Sequence, residues 1–436
     1  MELMIVFLIF VACMAASLAI GVTMLVPLLI GLMLFMLLAR RKGFTLSQIF
    51  RFSMKSLKDS LIVVRILLLI GCLTGLWRMS GTVAYFVTLG MSLIPPRLFL
   101  LAAFLLAAVM SFAIGTSFGV TATAGVILIS IARAGGVNPV LAAGAILSGV
   151  YVGDRGSPAA SSANLVAVLS RTDIRDNVRQ MLKSSWIPFG ACCLIYALTS
   201  LFSPMETMNK AHLALLESEF ELEWYCLVPA VLMIALPFLR VKIKWAMAVS
   251  LVSSVVVSLL LQGESVPSCL SAMIFGYKSK DPALDSMISG GGIVSMLEVC
   301  GILLISGTYG GLFQETGLLA PVNQTLSSLS LRIGRFPVMI ALGAGVCALF
   351  CNQTIGVIMQ NQLSEPLYGD SPEERTRKML DMENSVILLA GLIPWCIASS
   401  VPLSMLEAGV SSLPFAFYLW FVPLWAWFRS AKSKVR

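Results

Sequence analysis

Ser148 to Asn164 reads SGVYVGDRGSPAASSAN, and apolar sequence flanks it on both sides. The stretch holds an acid (Asp154), a base (Arg155), two glycines (Gly153, Gly156), a proline (Pro158) and the polar side chains of Ser157, Ser161, Ser162 and Asn164. In a charged, soluble chain this would be an ordinary surface loop. This chain is 58% hydrophobic and 12% charged, with a mean hydropathy of +0.92, whereas soluble domains carry about 25% charged residues. Repeated apolar runs near the length that spans a bilayer make it a polytopic helical membrane protein. Non-helical backbone and ionisable groups at membrane depth are tolerated only where protein or a water-filled cavity covers them. The stretch therefore marks a functional site.

The same composition removes other classes. The net charge of +8 is no sign of nucleic acid, because the bases cluster at the ends of apolar runs, as the positive-inside rule requires. The ten cysteines lie scattered, mostly within apolar runs, and no pair has zinc-finger spacing. They read as small packing residues, so no resident metal or cofactor is expected. The N-terminus lacks a basic region ahead of its apolar run and reads as a first span.

Leu3 to Ile20 and Val22 to Leu38 are apolar runs parted by Gly21. Arg40 to Lys58 is basic and amphipathic, a cytoplasmic helix on the membrane surface. Leu61 to Trp77 is a span. Leu98 to Ala132 is too long for one untilted span and is interrupted by Gly115-Thr116-Ser117-Phe118-Gly119-Val120-Thr121. We read it as a helix that unwinds near the midplane. Asn138-Pro139 opens the helix that runs into the Asp154 stretch. Arg171 to Lys183 reads as a second basic, cytoplasmic loop, and Trp186 to Phe202 as a span. Ser203 to Glu223 is acidic, contains the sole histidine, His212, and reads as the linker between two halves, 1–202 and 224–436. In the second half, Gln262 to Ser289 is a polar connection. Ile293 to Phe313 is a span carrying Glu298, and Cys351-Asn352-Gln353-Thr354-Ile355-Gly356 is a second polar interruption. Asn384 to Val401 is apolar around Pro394, and a basic tail follows the last span.

The halves repeat. Ile66 to Gly81, ILLLIGCLTGLWRMSG, matches Ile302 to Gly317, ILLISGTYGGLFQETG. The same offset places Pro158 on Pro394, and Gly119-Val120 falls on Gly356-Val357 with one residue of slippage. The basic loop Arg40 to Lys58 corresponds to the nearly neutral Gln262 to Ser289, an opposite bias that an inverted repeat produces. The expected fold is all-helical, two inverted repeats with broken or re-entrant helices and about 10–13 membrane segments of ~20 residues each. Paired broken segments of this kind put a binding site near the midplane.

A small cation in a dry cavity needs oxygen ligands from carbonyls, hydroxyls, amides and a carboxylate. Since His212 lies in the linker, a carboxylate must carry any proton. Competition of proton and cation for one carboxylate gives antiport without further machinery. Asp154 is the first candidate and Glu383 the second, with Glu298 a minor one. Thr116, Ser117, Asn352, Gln353 and Thr354 line the crossing region, and Gly153, Gly156, Pro158 and Pro394 break the helices. Arg155 has three readings: a counter-ion to Asp154, a clamp for a substrate carboxylate, or an interfacial side chain that snorkels. Glu407 reads as interfacial. A channel would not need a titrating acid, and a membrane enzyme would need a nucleophile or metal set that is missing here.

Gly153-Asp154-Arg155-x-Ser157-Pro158, ending in Asn164, resembles the Gly-Asp-Lys-x-Ser-Pro-x-Ser-Asp-Thr-Thr-Asn segment of the NhaC-type sodium/proton antiporter family. Gly115-Thr116-Ser117-Phe118-Gly119 is similar to its Gly-Thr-Ser-Trp-Gly, Leu392-Ile393-Pro394-Trp395 to its Leu-Ile-Pro-Trp, and Glu383-x-Ser385 to its Glu-Asp-Ser. The resemblance covers most of the chain, in order. It implies a bacterial inner-membrane secondary antiporter that exchanges sodium for protons; the basic tail puts the C-terminus in the cytoplasm. The partners are then the lipid bilayer, a monovalent cation, protons and, in the assembly, a second copy in a homodimer. Asp154, Glu383, Ser157, Asn164 and Ser385 become ion or proton ligands. Three acids of the family pattern are replaced, by Ser161, Asn352 and Asn384. The alternative is a sodium- or proton-coupled exchanger of a small organic acid or amino acid, held by Arg155, Ser161, Ser162 and Asn384.

Overall fold

The computed structural model describes residues 2–55, 57–205, 210–239, 241–281, 284–285, 288–316 and 322–433. Residues 206–209 of the linker, Gly317 of the repeat and the end of the basic tail lie outside them. The described chain is helical, and its β structure is a single bridge, Tyr277 to Gly290. Among the described residues, five helices are long and apolar enough to cross a membrane: Ser60–Met79, Pro96–Ile114, Ser117–Ala134, Ile174–Phe202 and Ile293–Phe313. Leu198 and Phe202 stand exposed on such a helix, Phe202 at 88%. An apolar surface of this kind is stable against lipid and costly against water.

The helices run in chain order α1 (Glu2–Ile20), α2 (Leu25–Arg41), α3 (Leu46–Lys55), α4 (Leu57–Met79), α5 (Thr82–Leu93), α6 (Phe99–Ile114), α7 (Ser117–Val120), α8 (Val126–Ala134), α9 (Pro139–Gly156), α10 (Ser161–Ser170) and α11 (Ile174–Phe202). They continue as α12 (Lys210–Glu219), α13 (Val228–Phe238), α14 (Ile243–Leu260), α15 (Val266–Phe275), α16 (Leu297–Thr316), α17 (Val322–Ile333), α18 (Arg335–Phe350), α19 (Gln353–Ser364), α20 (Pro372–Glu383), α21 (Val386–Ala390), α22 (Ile397–Met405) and α23 (Phe417–Ser433).

Both polar interruptions are tips of helical hairpins. Along α9, Gly149 meets Phe104, Gly153 meets Ser111 and Phe112, and Ala159 beyond it meets Gly115, so α6 runs parallel to α9. Beyond the tip, Gly125 packs on Ile146, back up the same helix. In the second half Gly343 faces Gln360 and Gly356 faces Cys347, so α18 and α19 are antiparallel about Cys351-Asn352. The stretch read as a helix that unwinds thus reverses direction instead. Hydropathy alone is the same for both.

The two tips share one geometry. Gly115 closes α6 at φ 75, and Thr116, at φ −145 and ψ 122, accepts the Gly119 N–H on Oγ1 at 3.3 Å. Cys351 closes α18 at φ 55, and Asn352, at φ −141 and ψ 124, accepts the Ile355 N–H on Oδ1 at 3.2 Å. Each is a left-handed C-cap followed directly by an N-cap. Each tip leans on a proline break: Gly115 on Ala159 beside Pro158, and Cys351, whose carbonyl accepts the Ile397 N–H at 2.9 Å, on the segment after Pro394.

Other expectations change at the backbone. Gly153 breaks nothing, because α9 stays helical to Gly156. Gly153 is there because the backbone of Ser111 and Phe112 passes where a Cβ would sit. The break is Ser157 to Ala160. Arg171 to Lys183 is mostly helix, since Asp173 caps α11 through the N–H groups of Arg175 and Asp176. The polar connection Gln262 to Ser289 contains α15, and the acidic linker contains α12. Glu219 on α12 accepts hydrogen bonds from the Tyr277 and Ser279 hydroxyls, both at 2.6 Å. Against α15 and the Gly290–Gly292 turn, α4 forms a seam of bare backbone. Gly75 lies on the Ala272 carbonyl, and the Gly292 N–H donates to the Gly71 carbonyl at 2.8 Å.

Candidate functional site

Asp154 lies in the last turn of α9 and is 5% exposed. Both hairpin tips reach it. Gln353, the first residue of α19, donates from Nε2 to Asp154 Oδ2 at 3.1 Å and to the Ile387 carbonyl at 3.1 Å. Ser117, the first residue of α7, comes within interacting reach of the same carboxylate, as does Ser162 of α10. Ser162 also donates to the Asp154 carbonyl at 2.5 Å. The polar residue placed right after each cap is thus the one aimed at the acid.

Glu383 ends α20, fully buried, and neither of its oxygens has a hydrogen-bond partner. It sits within electrostatic reach of both Arg155 and Asp154. Arg155 is 1% exposed, which excludes the snorkelling reading: the α9 end is enclosed by α11, α23 and the Glu383–Ser385 turn. Its Nη2 donates to Asn384 Oδ1 at 2.6 Å and Ser184 Oγ at 2.8 Å. Its Nη1 donates to the Met181 carbonyl at 3.2 Å and the Tyr418 hydroxyl at 3.4 Å. Its Nε has no partner. Although adjacent in sequence, Arg155 and Asp154 point to different neighbours and make no ion pair. All four acceptors of the guanidinium are uncharged.

The remaining predicted residues divide by what their polar atoms hold. Ser157 donates to the Phe112 carbonyl at 2.6 Å and accepts the Ala159 N–H, fixing the break to α6. Asn164 donates to the carbonyls of Pro158 and Ala160 at 2.9 and 2.7 Å, closing the same break. Thr116 and Asn352 are the tip caps. Ser385 donates to the Asp381 carbonyl at 2.6 Å and accepts from Gln360 at 3.0 Å. Ser161 and Thr354 are exposed, outside the buried group. Ser184, Tyr418 and Gln360 escaped the sequence reading. Gln360 had a signal, since it lies two turns beyond Gln353 on one face of a helix. Tyr418 had none.

Two cavities flank this group. One, of about 590 Å³, is lined by Arg171, Arg179, Lys183 and Arg375 together with Asp173 and Asp176. Lys183 adjoins Ser184, which holds Arg155. The other, of about 640 Å³, is lined by Thr23, Glu298, Pro394, Ser400, Ser404 and Glu407. Glu298 is exposed there and accepts from the Thr23 hydroxyl at 2.5 Å, so it is no deep acid. Glu407 is more than interfacial. Its carboxylate takes Arg78 Nη2 at 2.8 Å, Arg133 Nη1 at 2.6 Å and the Gly291 N–H at 3.1 Å, tying α4, α8 and the end of α22 together.

Residues 1–163 and 149–427 match the model of the Na+/H+ antiporter family. The chain is 27% identical over 392 residues to the malate-2H(+)/Na(+)-lactate antiporter of Bacillus subtilis, covering 88% of this chain and 83% of the relative. It is 26% identical over 374 residues to the Na(+)/H(+) antiporter NhaC of Alkalihalophilus pseudofirmus, covering 84% and 81%. It is also 26% identical over 423 residues to the arginine/ornithine antiporter ArcD of Halobacterium salinarum, covering 93% and 87%. With the matches spanning nearly its whole length, a chain of this helical, apolar build is a multi-pass membrane transporter, and it belongs to the Na+/H+ antiporter family.

Proposed function

We propose that the protein exchanges a monovalent cation, sodium in the first place, for protons at Asp154 and Glu383. The observation that carries this reading is the meeting of both hairpin tips, through Ser117 and Gln353, on one buried carboxylate beside a second carboxylate with no partner. An ionised carboxylate without partners is costly at such a depth, and either a proton or a small cation removes the cost. The matching tips support two inverted repeats, 1–202 and 224–436, whose broken segments cross at the site. The basic segments put the α2–α3 junction, the start of α11 and the C-terminus on the cytoplasmic side of a bacterial inner membrane.

A second reading has its own observation. The cavity of four bases opens one residue from Ser184, and the buried Arg155 guanidinium beyond it is held by neutral acceptors. That arrangement suits a small organic anion, and the relative named for malate and lactate fits it. The test is proton movement in proteoliposomes under an imposed pH gradient. Sodium or lithium should collapse the gradient with the wild type and leave it standing with Asp154→Asn. Full exchange in Asp154→Asn would sink the assignment of that residue. Collapse by carboxylates or amino acids alone would replace the first reading with the second.

A further inference from the structure

Three formal charges are buried together in the site: Asp154, Glu383 and Arg155. The other polar groups around them are neutral or turned elsewhere. From α9, the Tyr151 hydroxyl donates to the Ala398 carbonyl at 2.7 Å. From α23, the Tyr418 hydroxyl accepts from Arg155. From α18 and the Pro394 break come the thiols of Cys347 and Cys396. On α20, Asp381 takes the Tyr368 hydroxyl at 2.6 Å, and on α11, Lys183 is exposed. The position beside Glu383 that could have added a third acid is Asn384, and its oxygen is taken by Arg155 at 2.6 Å. Two negative charges and one positive charge leave a single negative charge to be matched. The bare oxygens of Glu383 are where that charge has no partner.

We propose that Arg155 is the specificity-determining residue that limits this site to one positive charge at a time, so that a monovalent cation is accepted and a divalent cation is refused. This rests on the cation–proton reading given above. Arg155 need not touch the ion to act. Its fixed charge cancels one of the two carboxylates from a position locked by four neutral acceptors. A divalent cation then leaves the buried site with a net positive charge, which a dry environment penalises as heavily as a net negative one. The same count makes the exchange electroneutral, one proton for one sodium ion, and it explains why both acids are needed: without either, nothing is left for a cation to match.

The experiment uses the full chain in proteoliposomes with an entrapped pH dye, sodium chloride and calcium chloride as probes, and voltage clamped by potassium and valinomycin. The wild type should respond to sodium and not to calcium, and the sodium ratio at which proton flux stops should not move with voltage. Arg155→Gln leaves two negative charges, and Asn384→Asp reaches the same count with the arginine in place. Each should let calcium collapse the gradient at least about tenfold faster than in the wild type, the low end of what one unit charge does beside an ionised group. Arg155→Gln with Glu383→Gln returns the count to one and should shut calcium out again, and Arg155→Lys should exclude it throughout. Asn384→Asp keeps the test decisive where Arg155→Gln fails to fold. Calcium exchange by the wild type, a voltage-dependent stopping point, or sodium exchange without calcium in folded Asn384→Asp would overturn the proposal and spare the reading beneath it. A wild type that exchanges no cation at all would remove both.

Discussion

Gly153 and Gly156 look equivalent in the sequence and are opposites in the structure. A Cβ at Gly153 would meet the backbone of Ser111 and Phe112, which cannot step aside without parting α6 from α9, whereas a Cβ at Gly156 meets nothing within 4 Å. Gly153→Ala should therefore destabilise by about 1–3 kcal/mol or more. Gly156→Ala should be neutral or slightly stabilising. Thermal unfolding of the two purified variants in one detergent checks this, and equal melting temperatures would contradict the packing argument. Glu407 offers a second test at this scale. Arg78 is 2% exposed, and Glu407→Gln leaves its charge with no ionic partner, a loss of about 3–5 kcal/mol when such a pair is buried. The expected result is a large fall in melting temperature, which an exposed ion pair would not produce. Asp154 and Glu383 were legible as candidates because acids are conspicuous in an apolar chain, and the fold buries both. Arg155's partners were not, because Ser184, Asn384 and Tyr418 come from three distant parts of the chain, and only the folded packing says which side of α9 the guanidinium takes.

Among the elements, the hairpins divide most clearly into what was legible and what was not. Glycine, threonine and asparagine after an apolar run announce an interruption, and both interruptions were found. The reversal of direction was invisible, since a hydropathy profile has no sign along the membrane normal. Nor did the sequence separate the caps from the residues turned to the acid: Thr116 and Asn352 serve backbone N–H groups, while of their neighbours Gln353 hydrogen-bonds Asp154 and Ser117 lies within its reach. Asn352→Ala should thus cost about 1 kcal/mol, the ordinary value of an N-cap. It should also slow exchange by loosening Gln353, while Asn352→Ser, which keeps a capping oxygen, should restore both. Parallel melting and exchange measurements on the two variants decide whether the side chain caps the helix or binds the ion. If Asn352→Ser melts like the wild type yet does not exchange, Asn352 is a ligand after all.

At the scale of the whole molecule, charge distribution carries the prediction of sidedness. The bases of Arg40 to Lys58, of the start of α11 and of the tail should share one side, with the α1–α2 turn at Thr23 and Glu407 on the other. A reporter enzyme fused after Arg436 should be active only in the cytoplasm, and a single introduced cysteine at Thr23 should react with an impermeant maleimide from outside. The reverse pattern would invert the assignment of the two cavities. Composition was enough for the class of protein, and the sequence match singled out Pro158 and Pro394, whose breaks each support a hairpin tip. The ion triad at Glu407 was out of reach, because it joins residues from the first and last parts of the chain across more than one helix.

The seam in which α4 lies on α15 and the Gly290–Gly292 turn has a mechanical consequence. At Gly71, Gly75 and Gly292 the contact is backbone on backbone, with no side chain at those positions whose rotamer could yield. Such a joint does not absorb a push; it passes it on undiminished. One end of α4 bears Arg78 and its Glu407 clasp, so a shift of the α8 arm through Arg133 is delivered to α4 as a rigid lever would deliver it. The compliance that any opening of the site requires must then be sought elsewhere, in the four residues after Gly156 and the six that include Pro394, where the backbone is not helical.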